Sequence, residues 1–105
     1  MPTFLLTSRH SPEACAQFVE KSRKIALALA ENIEALAKKH GVKVVGLWSA
    51  MPEHMVVSIY EAPSLEAFQK LSMEPEFLAW SSWTTTKTRM VSGLEDIVKK
   101  LKQAK

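Results

Sequence analysis

Apolar side chains occupy both faces of two neighbouring stretches, Val42–Ser49 (VKVVGLWS) and His54–Ala62 (HMVVSIYEA), separated by the short break Ala50-Met51-Pro52-Glu53. Runs of this length, rich in β-branched and aromatic residues, predict strands. A strand with one wet face alternates apolar and polar residues, and these two do not. Both faces of their sheet are therefore expected to be covered. The helices legible elsewhere are too few to cover two faces, which points to a second copy of the protein over one of them.

The flanking segments supply the other elements. Thr3–Arg9 reads as a strand and stops at His10-Ser11-Pro12-Glu13, a helix start with Ser11 as cap, Pro12 at the first helical position and Glu13 near the positive pole. Cys15, Phe18, Val19, Ile25, Leu29, Ile33, Leu36 and Ala37 then follow helical spacing up to Gly41, a natural stop. As one helix this would run about 44 Å, at about 1.5 Å per residue. That exceeds the width of a domain this size, so a kink or break is expected near Glu20–Ser22. Ala62-Pro63-Ser64 opens a second helix with Ser64 as cap and Ala67, Phe68 and Leu71 on its inner face. Met73-Glu74-Pro75-Glu76 interrupts it, Glu76–Trp80 resumes as a short helical turn, and Ser81–Val91 reads as the last strand. Gly93 precedes a closing amphipathic helix carrying Leu94, Ile97, Val98 and Leu101. The order β-α-β-β-α-β plus a C-terminal helix predicts an α+β, ferredoxin-like fold, with residues 1–105 as a single domain.

Composition narrows the partners. Hydrophobic residues make up 47% and charged residues 24% of the 105, ordinary for a soluble globular protein. The net charge of +3 is spread out, apart from the run Lys99–Lys105, where lysines complement the negative pole of a closing helix. Without interleaved aromatics or arginines this run does not read as a nucleic-acid patch, and no nucleic acid is expected as partner. No stretch approaches the roughly 18 apolar residues of a membrane span, and the apolar N-terminus is too short for a signal peptide. Cys15 is the only cysteine, which excludes an intrachain disulfide and suits a reducing, cytoplasmic location.

Three segments carry a resemblance. His10-Ser11-Pro12-Glu13, Gly41-Val42-Lys43-Val44-Val45-Gly46 and Tyr60-Glu61-Ala62-Pro63-Ser64 are similar to small uncharacterised prokaryotic members of the dimeric α/β-barrel superfamily. The resemblance covers most of the chain and implies a ferredoxin-like fold whose open sheet faces pack together in a homodimer or higher homo-oligomer. It implies no reaction. Members include antibiotic-biosynthesis-type monooxygenases, haem-degrading enzymes, muconolactone-type isomerases and proteins without known activity, and function lives in the site rather than in the fold.

Sorting the strands by face gives a candidate site. Met55, Val57 and Ile59 are purely apolar and are expected against the helices. His54, Val56, Ser58 and Tyr60 form a mixed set expected to face the barrel interior. Leu5, Thr7 and Arg9, then Val44, Gly46 and Trp48, then Lys87 and Arg89 share that interior, in a register where a slip of one residue exchanges the sets. His54 and Tyr60 are the candidate catalytic pair. Arg9, His10, Trp48, Ser58, Lys87 and Arg89 are candidate ligand-binding residues, with aromatic area and cations suited to a small acidic or aromatic compound. The plainer readings are a surface histidine for His54, a loop residue for His10, a helix-terminal residue for His40, and a solvated strand face for Lys87 and Arg89. Trp80 and Trp83, beside Phe77 and Leu78, suit a lid, a dimer contact or core packing.

His10, Cys15 and His54 are metal-donor types, but no tight spacing joins them and Cys15 falls on the helical stripe as a small hydrophobe, so no metal is expected. No cofactor is expected either. The asparagine–tryptophan–histidine set that the resemblance associates with haem degradation is lacking, since Asn32, the only asparagine, lies mid-helix. None of GxSxG, HExxH, GxGxxG or CxxC occurs. Two function classes follow: a small-molecule-binding barrel protein, or a small cofactor-independent monooxygenase or isomerase using His54 and Tyr60.

Overall fold

A computed structural model describes residues 1–104; Lys105, the last of the C-terminal lysines, lies outside the described residues. The strands are β1 (Thr3–Arg9), β2 (Lys43–Ala50), β3 (Met55–Glu61) and β4 (Thr85–Val91), and the helices are α1 (Glu20–Lys39), α2 (Leu65–Ser72), α3 (Pro75–Ser81) and α4 (Leu94–Gln103). The strands form one antiparallel sheet in the order β2-β3-β1-β4. This is the expected α+β, ferredoxin-like plan.

The element boundaries follow local chemistry. Ser64 caps α2, its hydroxyl accepting the Ala67 N–H at 3.1 Å, and Pro75 occupies the first turn of α3. Gly41 ends α1 at φ +71°, a conformation that disfavours a side chain. Pro12–Ala14 form only a short 3-10 turn, and α1 begins at Glu20. The expected break therefore falls just before Glu20, and Cys15 caps the 3-10 turn instead of riding on the α1 stripe. Ser81 is the last residue of α3, so the final strand starts later than its sequence suggests.

One face of the sheet carries Phe4, Leu6, Tyr60 and Val44, packed with Val42, Ala62, Ile33 and Ala37 of the α1 region, Phe68 and Leu71 of α2 and Phe77 of α3. Phe4 stacks on Phe68 with ring centres 5.1 Å apart. The register corrects the face assignment for β3. Phe4 pairs with Tyr60 and Leu6 with Ser58, so Ser58 and Tyr60 lie on the helix side, and Val57 and Ile59, opposite Thr7 and Leu5, lie on the open side. The tyrosine ring buries more apolar area than its hydroxyl costs, and it outweighs the purely apolar alternation of Met55, Val57 and Ile59. A second correction concerns β2. A bulge between Val44 and Gly46 leaves Val44 against the core, while Gly46 and Trp48 face the open side. Lys87 and Arg89, opposite Thr7 and Leu5, share that open side as expected.

Candidate functional site

Where the helix-side face of the sheet turns from large to small residues, the core opens. Phe4 and Tyr60 fill one end of the layer. Towards the other end, β1 and β3 offer Leu6, Ser8, Ser58 and Val56, which leave space beneath α1 and α3. The result is a cavity of about 540 Å³. Leu29 and Ile33 of α1, Phe68 of α2, and Phe77 and Trp80 of α3 supply its apolar wall, and Ala26 and Ala30 keep the α1 side shallow. The sheet floor carries hydroxyls: Ser8, Ser49, Ser58, Thr86 and Thr88. Among the described residues, no Asp, Glu, Lys, Arg or His lines it.

A chain of hydroxyls and one indole fixes the far wall. The Trp80 Nε1–H donates to Ser8 Oγ at 3.2 Å, and Ser8 Oγ lies 3.0 Å from Thr86 Oγ1. Thr86 Oγ1 is 3.4 Å from Thr84 Oγ1, which donates to the Trp80 carbonyl at 2.8 Å. Trp80 lines the cavity, a role apart from the lid, dimer contact or core packing that its sequence context suggests.

A second group of side chains gathers at the end of the β1–β3 ladder. Arg9 pairs with Met55, and the next rung is His10 with His54: the His10 N–H donates to the His54 carbonyl at 3.1 Å. The turn Met51–Glu53 delivers His54 in a left-handed conformation, φ 51° and ψ 47°. From the other side, the Pro12–Ala14 turn folds the chain back and buries Cys15, whose N–H donates to the Pro12 carbonyl at 3.2 Å. The His10 and His54 rings meet edge to face with centres 5.2 Å apart, and Trp83 leans on His10 at 5.3 Å. Burial, then the His54 charge, lowers the His10 pKa below its ordinary value. Three donor types that no spacing connects in the sequence are thus brought together, their ligand atoms within 4.8 Å of one another.

The remaining candidate residues are dispersed. Tyr60 is buried in the core against Phe68 and Phe77, and burial raises its pKa above the ordinary phenol value, with a Ser58 hydrogen bond opposing. His54 and Tyr60 lie at opposite ends of β3, separated by about 20 Å at about 3.3 Å per residue, so they do not meet at one reacting bond. Ser58 lines the cavity from the helix side of the sheet, whereas Trp48 is on the open side of the edge strand, 53% exposed with its indole over Gly46, and meets the cavity only at that edge. A side chain at Gly46 would collide with that ring, 2.6 Å from Cζ2. Arg9 is exposed and 3.8 Å from Glu53. Lys87 and Arg89 are exposed on the open face, away from the cavity. Ser8, Ser49, Ala30 and Thr86 escaped the sequence reading. The one available signal was Ser8, a serine at an inward position of an otherwise apolar strand.

No protein-family model matches the chain, and no curated protein matches its sequence. Solved structures do match in fold. A candidate antibiotic biosynthesis monooxygenase from Nitrosomonas europaea is 16% identical, with TM-score 0.59, covering 90% of this chain and 99% of that one. A structural-genomics protein from Agrobacterium tumefaciens is 17% identical, with TM-score 0.57, covering 88% and 92%. An uncharacterized NIPSNAP domain protein from Burkholderia xenovorans is 10% identical, with TM-score 0.57, covering 89% and 94%. At these identities the likeness concerns architecture, and this chain shares the ferredoxin-like α+β fold of the monooxygenase-type and NIPSNAP-type proteins.

Proposed function

We propose that the protein binds a small, neutral, apolar or aromatic molecule in the cavity between its sheet and α1–α3. The lining carries the reading: apolar and aromatic walls, hydroxyls on the sheet floor, and no charged side chain among the described residues. The volume lies within the range of about 300–1,000 Å³ usual for small-molecule sites. An acidic ligand is a poorer match than the sequence suggests, because Arg9, Lys87 and Arg89 lie outside the cavity and a carboxylate entering it would lose its hydration unpaired. The neighbours named as monooxygenases share the architecture and so lend support to a small-molecule site. The joint use of His54 and Tyr60 in one chemical step has no support in their separation along β3. The protein is proposed to work in the cytoplasm as a homodimer, a second copy covering Leu5, Val57, Ile59 and Trp48.

The test is calorimetric titration with a naphthol and with the naphthoate of the same ring. The naphthol is expected to bind at least about 10-fold more tightly, the carboxylate being left uncompensated. Ala30→Leu, which fills the cavity from α1, is expected to abolish binding while leaving the circular dichroism unchanged. Equal or tighter binding of the naphthoate, or undiminished binding by Ala30→Leu, would overturn the proposal.

A further inference from the structure

We propose that His10, Cys15 and His54 form a Zn²⁺-binding site, with two imidazole nitrogens and one thiolate as ligands. Nothing in the cavity reading requires this site, which stands on different residues.

The first support is convergence. The ligand atoms of the three side chains lie within 4.8 Å of one another. Tetrahedral zinc, with bonds of about 2.0–2.3 Å, holds its ligand atoms about 3.4–3.6 Å apart. Side-chain torsion alone can close a gap of about 1 Å. The second support is unspent hydrogen-bonding capacity. His10 Nδ1 and Nε2, His54 Nδ1 and Trp83 Nε1 are buried without a partner among the described residues. An unsatisfied buried polar atom costs about 1–3 kcal/mol, so several in one place call for a ligand that uses them. A divalent ion uses one lone pair from each imidazole, and leaves the other His10 nitrogen and the Trp83 N–H as donors.

The third support is the backbone that assembles the group. His10 and His54 are fixed on adjacent strands by the hydrogen bond that extends the β1–β3 ladder. Cys15 is fixed by the 3-10 turn that Ser11-Pro12 initiates. His54 holds a positive φ, and among the described non-glycine residues it alone does so. Such a conformation costs of order 1 kcal/mol or more and clusters at functional sites.

The donor set selects the ion. Two imidazoles and a thiolate suit borderline-soft divalent ions, whereas Mg²⁺ and Ca²⁺ prefer carboxylate and carbonyl oxygens. Three protein ligands leave the fourth tetrahedral position to water, the arrangement of an open zinc site. On binding, the Cys15 S–H bond breaks, its proton passes to solvent and an S–Zn bond forms, with no change of oxidation state. The Trp83 indole N–H, buried beside His10, remains as a donor for the outer sphere.

Cobalt(II) reports on this site without any assay of activity. Cys15 is the only thiol in the chain, so a sulfur-to-cobalt charge-transfer band in the unaltered, chelator-stripped protein can arise from no other residue. The expected result is that band, with intense tetrahedral visible bands, saturating at one equivalent per chain and displaced by Zn²⁺. His54→Gly, which suits the left-handed backbone, and His10→Asn are each expected to weaken binding by more than about 100-fold, since even outer-sphere partners are worth about 10- to 100-fold. Absence of the charge-transfer band in the unaltered protein would overturn the proposal, whether or not the variants fold. Undiminished binding by either histidine variant would do the same.

Discussion

Glu74 shares one carboxylate oxygen between an imidazole and an ammonium. The His40 ring donates to Oε1 at 2.8 Å and the Lys39 ammonium donates to the same oxygen at 2.9 Å, tying the end of α1 to the start of α3. The His40 hydrogen bond, then that of Lys39, lowers the Glu74 pKa below the ordinary glutamate value. The sign of the linkage follows. A carboxyl whose folded pKa is depressed stabilises the fold above its unfolded pKa, and that stabilisation is lost as pH falls through the folded value. Thermal midpoints from neutral pH down into the acid range are therefore expected to fall more steeply for the unaltered protein than for Glu74→Gln. The two curves should lie furthest apart at neutral pH and converge in acid. Parallel curves would show that the contact carries no stability. This acidic residue was legible in the sequence only as part of an interruption between helices, because its partners lie some thirty-five positions away at the far end of α1.

Among the elements, the best-read were those with a chemical signal at their ends. Thr3–Arg9 is bounded as the sequence predicts, and Ser64 caps α2 as its position before an apolar run implies. Ser64→Ala removes the acceptor for the Ala67 N–H and is expected to cost about 1 kcal/mol, within the usual 0.5–2 for a lost cap. The midpoint of urea unfolding measures it, and an unchanged midpoint would show that water replaces the cap. Face assignment was less legible. In β3 the alternation Met55, Val57, Ile59 reads as a core set, but pairing with Phe4 and Leu6 turns Ser58 and Tyr60 inward. Polarity identifies the buried face only where the other face is wet, and here both faces are partly apolar. In β2 the bulge after Val44 shifts the alternation within one strand, which no period-two reading resolves. The histidine pair was hidden for a related reason: His10 and His54 become neighbours only once the β1–β3 register is known.

At the scale of the whole molecule, the single chain is extended. Its radius of gyration is 15.6 Å and its extents are 56 × 31 × 17 Å, against about 13 Å for a compact domain of 100 residues. Helix α4 contributes to this. It has no buried residue, and Leu94 and Leu101 are 76% and 68% exposed on a clearly amphipathic helix. The open sheet face adds Trp48 and the half-buried Leu5, Val57 and Ile59. These exposed apolar surfaces motivate the homodimer proposed above, since large apolar area left open marks interaction sites. Sedimentation is expected to give a dimer for the unaltered protein. Ile59→Lys, which puts an ammonium at the centre of the open face, is expected to give a folded monomer. A monomeric unaltered protein would remove the second copy. No described helix is long and apolar enough to cross a membrane.

The hydroxyl chain beside the cavity also bears on what the molecule can discriminate. Trp80 and Thr84 each spend their only proton within the chain, one on Ser8 and one on a carbonyl. Ser8 and Thr86 keep protons that can point either way. With both turned towards Thr84, the wall offers a visitor only lone pairs; with both reversed, Ser8 offers it a donor. The interconversion takes two hydroxyl rotations and breaks no backbone contact. By turning its own hydroxyls, the wall can thus meet either a donor or an acceptor on a neutral occupant. Its selectivity is left to the shape set by Ala30, Phe77 and the Trp80 ring, and a family of similarly shaped molecules, differing in polar group, is the range of occupants it would accept.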